Sequence, residues 1–258
     1  MKKKLIFTAL LVLIFSGCSQ IRNINEVTTP TDEAEFPPRM MILSNTVVAN
    51  SGLNEYCFNI TPKISIGAKK ATQFPADFLR SDANILAAIN GVYWDTDGTP
   101  LGEVFLADNN HLANKQGRIS GYLLVNKAGT EIKVAESFDE NYQNYYFVVG
   151  THPILLINSQ VHSQAAEERY NKYEDGRDKV SYRSAIGTKD GRNICFAVSA
   201  NTLTMSDWAD LLLKSGYRDA LNLDGGPVSQ LAIRENNEVK TSGAGLTPTH
   251  LIIFSYQR

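Results

Sequence analysis

The apolar positions of this chain come in short blocks. Runs of about four to seven hydrophobic residues, broken by Gly, Asn, Asp and Pro, recur from residue 56 to the C-terminus, which is the pattern of β-strands bounded by turns. The strands predicted are Tyr56–Ile60, Ile85–Ile89, Gly121–Val125, Glu131–Ala135, Tyr145–Val149, Asn193–Ser199, Ala220–Leu223, Val228–Ile233 and Leu251–Ser255. Helical spacing is clearest at Trp208, Leu211, Leu212 and Ser215. Thr204 and Asp207 form a capping box before that stretch, and Gly216 supplies the residue after its end, so a helix is predicted from Thr204 to Gly216. A second, shorter helix covers Ala165 to Tyr170. No repeat and no interdomain linker follow residue 40, so the pattern predicts a single α+β domain around a large mixed β-sheet with a few flanking helices. The strand, helix, strand order from Asn193 to Leu223 favours a parallel crossover. Asp224-Gly225-Gly226 then falls beyond the carboxyl end of the second strand, the edge where such sheets bind ligands.

The N-terminus has a different pattern. Lys2, Lys3 and Lys4 precede an apolar run from Leu5 to Phe15. That run is too short for the ~20 residues a bilayer span requires, and it fits the apolar region of a signal peptide. Phe15-Ser16-Gly17-Cys18 has small residues before a cysteine, which resembles a lipobox. The expectation is a lipoprotein signal peptide over residues 1–17 and lipid attachment at Cys18, which would tie the chain to a membrane. A polar, Pro-containing tether over residues 18–40 follows, with the folded domain at 41–258. Ser19 is not the aspartate that favours inner-membrane retention, so the expected location is the bacterial cell envelope, on the outer membrane where one exists.

Charge and cysteine content narrow the partners. The 258 residues carry 25 basic and 27 acidic side chains. Setting aside Lys2, Lys3 and Lys4 leaves 22 against 27, a balance of −5 for the exported part. A mildly acidic body does not track a phosphate backbone, so no nucleic-acid partner is expected. Cys57 and Cys195 sit in the apolar runs Tyr56-Cys57-Phe58 and Ile194-Cys195-Phe196, where buried free thiols are common. They are expected to be free, with a bridge as the alternative in an oxidising compartment. His111, His152, His162 and His250 are scattered, and no CxxC is present, so a zinc site has no support. No cofactor is identified, the need for a divalent metal is left open, and a monomer is expected.

Asp224-Gly225-Gly226 alone would be read as an ordinary turn. Four segments in order change that. They are Asn90-Gly91-Val92-Tyr93-Trp94-Asp95 with Pro100-Leu101-Gly102, then Gly150-Thr151-His152-Pro153-Ile154-Leu155. Next come Arg183-Ser184-Ala185-Ile186-Gly187, and finally Ala220-Leu221-Asn222-Leu223-Asp224-Gly225-Gly226 with Ser229 downstream. Over roughly residues 80 to 258 they resemble the phosphodiester glycosidase domain, the family named for the uncovering enzyme, N-acetylglucosamine-1-phosphodiester alpha-N-acetylglucosaminidase. Departures are Pro227-Val228 after the glycines, Glu103 where an apolar residue is usual, and His152 where a small one is usual.

The resemblance implies hydrolysis of a sugar-1-phosphodiester at the anomeric carbon, with a glycan or sugar phosphate as substrate. Asp224 and Arg183 are the catalytic candidates. A carboxylate can activate water or stabilise positive charge at the anomeric carbon, and a guanidinium can hold the phosphate with paired donors. Asp224 is expected to be ionised. Asn90, Gly91, Asn222, Gly225, Gly226, Ser229 and Trp94 are the candidate substrate-binding residues, and Glu103 is the candidate second carboxylate. For Arg183 the plainer alternative is an ion pair with Asp178; for Trp94 it is core packing. Pro227 fixes its φ and lacks an N–H, which weakens any anion cradle built from successive backbone donors. A non-catalytic glycan-binding lipoprotein with the same fold is therefore the competing reading. The anchoring expectation is tested by intact mass: Cys18→Ser should abolish lipidation, and a mature protein that retains residues before Cys18 or carries no lipid mass would refute it.

Overall fold

The structure is a computed structural model, and it describes residues 52–108, 111–113 and 119–258. Residues 1–17, the tether 18–40 and Cys18 lie outside the described residues. In chain order the elements are β1 (Leu53–Asn59), β2 (Ile64–Gln73), α1 (Pro75–Ser81), β3 (Ile85–Asn90), β4 (Glu103–Leu106), β5 (His111–Ala113), β6 (Gly121–Asn126), β7 (Ile132–Ala135), β8 (Tyr145–Thr151), β9 (Ile154–Ile157) and β10 (Gln160–Val161). They continue with α2 (Ser163–Ala166), α3 (Glu168–Asn171), β11 (Ser184–Thr188), β12 (Asn193–Ser199), α4 (Met205–Lys214), β13 (Asp219–Asn222), β14 (Gln230–Glu235), β15 (Glu238–Gly243) and β16 (Thr249–Gln257).

The expected large mixed sheet is replaced by three antiparallel ones. Their strand orders are β1-β12-β11-β13-β9-β10, β15-β14-β3-β16-β2 and β5-β4-β8-β6-β7. The fold is mainly β, and its helices are short coverings. Alternation along each strand explains the layering. Tyr56, Phe58, Ile194, Phe196 and Ile186 of the first sheet enter a central core with Ile89 and Ile253 of the second and Val104, Leu123 and Val149 of the third. Each sheet thus gives one face to a shared core. The opposite face of the first sheet is covered by α4 through Met205, Trp208, Ala209 and Leu212, and that of the second by α1 through Ala76, Phe78 and Leu79. With both faces covered, β12 is buried at every position, which is why its sequence reads as an unbroken apolar run.

Helix α4 follows its sequence signals. The Thr204 hydroxyl accepts from the Asp207 N–H at 3.1 Å, and Gly216 adopts φ +86° past the last turn. The second expected helix is instead split into α2 and α3 at Glu167, whose backbone is extended.

The parallel crossover is also corrected. β12 and β13 run in the same direction but do not pair. β11 lies between them, antiparallel to both, with Ile186 opposite Phe196 on one side and Leu221 on the other. An inserted strand comes from before the βα unit in sequence, so local periodicity cannot reveal it.

The cysteine expectation is overturned. Cys57 and Cys195 face each other directly in the β1–β12 register, with Cα atoms 4.0 Å apart, and they form a disulfide. Both lie on the face under α4, so apolar flanks and cross-strand bonding coexist there. The bridge links residues 138 positions apart, a loop for which chain entropy gives about 5 kcal/mol, the upper end of the roughly 2–5 kcal/mol that removal of a native disulfide costs. Cys57→Ala/Cys195→Ala should lose stability of that order in urea unfolding. Alkylation of unreduced, denatured protein at both cysteines would disprove the bridge.

Candidate active site

The register of β11 against β13 decides the site. Ala185 pairs with Asn222, so Arg183, two residues before, and Asp224, two residues after, arrive at the same end of one antiparallel ladder. The ladder continues through the Leu223 N–H to the Ser184 carbonyl at 2.9 Å. The end of β3 meets it from the second sheet: the Asp224 N–H donates to the Gly91 carbonyl at 3.0 Å. The end of β8 joins from the third sheet with His152. A cleft of about 840 Å³ opens where these ends converge, and Arg183, Asp224, Gly225, Gly226, Tyr93 and His152 are among the residues that line it.

Asp224 is the only carboxylate lining this cleft among the described residues, against three cations, Arg169, Lys179 and Arg183. Its Oδ1 accepts from the Gly225 N–H at 2.8 Å. Burial pushes its pKa up to about 7, while that hydrogen bond and the nearby Trp94 indole favour the ionised form. Trp94 Nε1 is buried and stops short of hydrogen-bond geometry. Asp224 is therefore poised near neutrality rather than simply ionised, as the sequence reading had it. Desolvation outweighs a single backbone donor.

Arg183 is buried and makes no ion pair with Asp178, which instead pairs with Lys172 at 2.5 Å. Its Nε donates to the Leu203 carbonyl at 2.9 Å and its Nη2 to the Lys179 carbonyl at 2.8 Å. Of the five N–H donors of a guanidinium, three remain for a ligand. Burial also lowers its pKa from the ordinary arginine value. Tyr93 lies within electrostatic reach of both Asp224 and Arg183, and burial followed by the Asp224 charge pushes its phenol pKa up.

The other expected site residues are placed differently. Asn90 is fully buried and committed: its Nδ2 donates to the Asp224 carbonyl at 2.7 Å, and its Oδ1 accepts from Ser184 Oγ at 2.8 Å and the Gln230 N–H at 3.1 Å. It holds Asp224 from behind and does not face the cleft. Asn222 is likewise buried, and its Nδ2 donates to the Tyr93 hydroxyl at 2.6 Å, orienting a ring that does line the cleft. Gly91 lies against Leu251, whose side chain would meet a Cβ there at 2.8 Å, so its role is close packing. Trp94 packs on His250 with ring centroids 3.9 Å apart, behind Asp224. Ser229 is wholly buried beyond the turn.

Gly225 and Gly226 do reach the cleft, and Gly226 takes φ +69°. Their N–H groups are already used, by Asp224 Oδ1 and by the Tyr182 carbonyl at 2.8 Å. No anion cradle of successive free donors forms here. Glu103 is not a second carboxylate of this cleft: it is buried in β4, where it accepts from the Tyr142 hydroxyl and contacts His111 Nε2 at 2.6 Å.

Missing from the sequence reading are Arg169, Tyr170, Tyr173 and Lys179, which form one wall. Arg169 and Tyr170 lie on the short helix α3, and Tyr173 and Lys179 in the irregular segment after it, which carries no periodic signal. His152 was noted only as a departure; its ring stacks on Tyr93 with centroids 4.6 Å apart. Among the described residues no grouping of three or more His, Cys, Asp or Glu suits a metal ion.

The Asp224 shift has a stability consequence. A carboxyl whose folded pKa is about 7 and whose unfolded pKa is about 3.9 loses stability as pH rises between those values. The penalty is absent below about pH 4 and complete above pH 7. Asp224→Asn keeps an acceptor for the Gly225 N–H, so it should melt higher than the parent at pH 8 and equal to it at pH 4. A lower melting temperature at pH 8 would contradict this assignment.

The comparisons bear on this geometry. A family model described as phosphodiester glycosidase matches residues 83–254. Among curated proteins no match reaches significance. Among solved structures, the catalytic domain of zebrafish N-acetylglucosamine-1-phosphodiester alpha-N-acetylglucosaminidase, auto-inhibited by its pro-peptide, is similar with a TM-score of 0.58 at 16% identity. The match covers 80% of this chain and 84% of that one. A hypothetical protein from Synechocystis is similar with a TM-score of 0.51 at 14% identity, over 80% of this chain and 59% of that one. At such identities the structural likeness speaks for the fold, and the family model, which spans both Asn90 and Asp224, speaks for kinship: the chain belongs to the phosphodiester glycosidase family.

Proposed function

We propose that this protein is an envelope-anchored glycosidase that hydrolyses a sugar-1-phosphodiester, or a related glycan linkage, at the anomeric carbon. The observation that carries the reading is the composition of the cleft among the described residues: one carboxylate, Asp224, beside three cations that include the buried Arg183. Glycosidases that expel a sugar alkoxide use two carboxyl groups, one of them to protonate the leaving oxygen. A phosphomonoester is a far weaker base and leaves without that proton, provided positive charge receives it. A cleft with a single carboxylate and several cations suits that leaving group.

The chemistry follows from the placement. Asp224, with a pKa near operating pH, takes a proton from water as the water oxygen bonds to the anomeric carbon. The anomeric carbon–oxygen bond breaks, and its electron pair departs with the phosphate, held by the remaining Arg183 donors and Lys179. Tyr93 and His152 offer a stacked aromatic pair to the sugar. The Cys57–Cys195 disulfide supports export to an oxidising compartment, in keeping with anchoring through Cys18.

One feature favours the competing reading of a non-catalytic glycan-binding lipoprotein. The Gly225 and Gly226 N–H groups are spent, and Pro227 offers none. A turnover assay separates the two. Over a panel of sugar-1-phosphodiesters, Asp224→Asn should lower kcat by about two to four orders of magnitude. The parent's activity should rise with pH through about 7 and then level off. Arg183→Lys should raise KM and lower kcat, and also lower the melting temperature, because the Leu203 and Lys179 carbonyls lose their donor. Binding without release of free sugar by the parent would establish the competing reading, and full turnover by Asp224→Asn would remove Asp224 from the mechanism.

A further inference from the structure

Tyr93 is held at several points. Its ring stacks on His152 with centroids 4.6 Å apart, and its carbonyl accepts from the Leu101 N–H at 2.7 Å. Its hydroxyl accepts from Asn222 Nδ2 at 2.6 Å. A second contact fixes that direction. The same Nδ2 donates to the Leu223 carbonyl at 2.7 Å, and an amide oxygen in its place would repel that neighbour. The Tyr93 oxygen therefore accepts from Asn222, and its own proton must point elsewhere.

Among the described residues, no acceptor takes that proton. The charged and polar groups within electrostatic reach of the hydroxyl are Asp224, Arg183 and Tyr170, and all three line the main cleft, as Tyr93 itself does. Burial, followed by the Asp224 charge, raises the phenol pKa, so at neutral pH the proton stays on the oxygen. A hydroxyl that keeps its proton, already accepts one bond and faces a cleft is a donor available to a ligand oxygen.

Which oxygen follows from charge. In a bound sugar-1-phosphodiester the two non-bridging oxygens carry the negative charge, and the Arg183 and Lys179 cations suit them. The bridging oxygen, between the anomeric carbon and phosphorus, is nearly neutral until the carbon–oxygen bond breaks. A neutral donor within reach of both Asp224 and Arg183 suits that oxygen, because its hydrogen bond strengthens only as charge develops there.

We propose that Tyr93 is a further catalytic residue, whose hydroxyl donates to the bridging oxygen and stabilises it as it leaves with the phosphate. The anomeric carbon–oxygen bond breaks and its electron pair stays on the phosphate. The attacking water gives its proton to Asp224, and the Tyr93 proton remains on the phenol throughout. Asn222 positions the hydroxyl and, by donating to it, polarises its O–H bond. The inference rests on the reading of the cleft as a phosphodiester site.

Tyr93→Phe removes the donor and keeps the ring. On a diester that the parent cleaves, kcat should fall by about two orders of magnitude with KM little changed. The comparison substrate carries sulfur in place of the bridging oxygen. Sulfur is a weak acceptor, so there Tyr93→Phe should cost less than about threefold. Equal losses on both substrates, or none on either, overturn the proposal. Calorimetry with inorganic phosphate reads the same donor without turnover: Tyr93→Phe should bind it about tenfold more weakly than the parent. Unchanged affinity, or a parent that binds no phosphate, overturns the proposal too. Should Tyr93→Phe fail to fold, a meta-fluorinated tyrosine at position 93 keeps the shape and strengthens the donor. Phosphate should then bind more tightly than to the parent, and unchanged or weaker binding overturns the proposal. A parent that shows this Tyr93-dependent binding yet releases sugar from no phosphodiester overturns the glycosidase reading, and with it the catalytic role, and leaves Tyr93 as a phosphate-binding donor.

Discussion

The arrangement depends on one buried amide. Asn90, at the end of β3, donates to the Asp224 carbonyl and accepts from Ser184 and from the Gln230 N–H. Those partners stand at the start of β11, at the start of β14 and in the turn after β13, so one side chain ties two sheets together at the ladder end where the cleft opens. An amide inside a protein must find partners for nearly all its donors and acceptors, because leaving one unmade costs about 1–3 kcal/mol. That requirement makes the geometry mutually enforcing: displacing the Asp224 turn would orphan Asn90, and displacing Asn90 would release Ser184 and Gln230. The second buried amide, Asn222, is only half satisfied: its Nδ2 donates to the Tyr93 hydroxyl and the Leu223 carbonyl, while its Oδ1 is buried without a partner among the described residues.

Rigidity of this kind has an electrostatic effect. The Asp224 backbone is gripped on both sides, by Gly91 at its N–H and Asn90 at its carbonyl, which fixes where its side chain enters the cleft. Desolvation then dominates its titration, with one backbone donor and a near-miss indole as partial compensation. A carboxylate on a freely moving loop would relax toward solvent and keep an ordinary pKa. Arg183 is held in the same manner, through two carbonyls, and shows the same desolvation with the opposite sign of charge. The backbone of one and the guanidinium of the other are thus fixed in place by the fold before any ligand arrives.

What was legible in the sequence follows from how local each feature is. β12 was bounded at Asn193 and Ser199 because both its faces are buried and its ends carry polar residues. α4 was bounded by its caps, Thr204 and Gly216. The family motifs carried Asp224 and Arg183 to one cleft, yet they did not separate the residues that face it from those that brace it. Asn90, Asn222 and Trp94 look equally polar or amphipathic in sequence, and only the packing of three sheets shows that they stand behind the wall. The disulfide and the insertion of β11 between β12 and β13 are products of long-range register, which no window of neighbouring residues contains. Residues 172–179 were silent because they form an irregular hairpin, where neither 2.0 nor 3.6 periodicity applies, and the helical signal before them did not show that Arg169 and Tyr170 face a cleft.

In the glycine turn, backbone shape and free backbone donors are separate properties. In Asp224-Gly225-Gly226-Pro227, the two glycines are needed for shape: a Cβ on Gly225 would meet the Tyr182 carbonyl at 2.9 Å, and Gly226 sits at positive φ. Their N–H groups, however, stabilise the turn itself and its carboxylate. With the backbone donors spent, the positive charge of the cleft is supplied by the side chains of Arg183, Lys179 and Arg169. Backbone donors would favour an anion at one fixed point near the turn. The glycines thus keep the shape of the turn and the position of its carboxylate, while the positive charge that faces Asp224 comes from side chains of neighbouring segments.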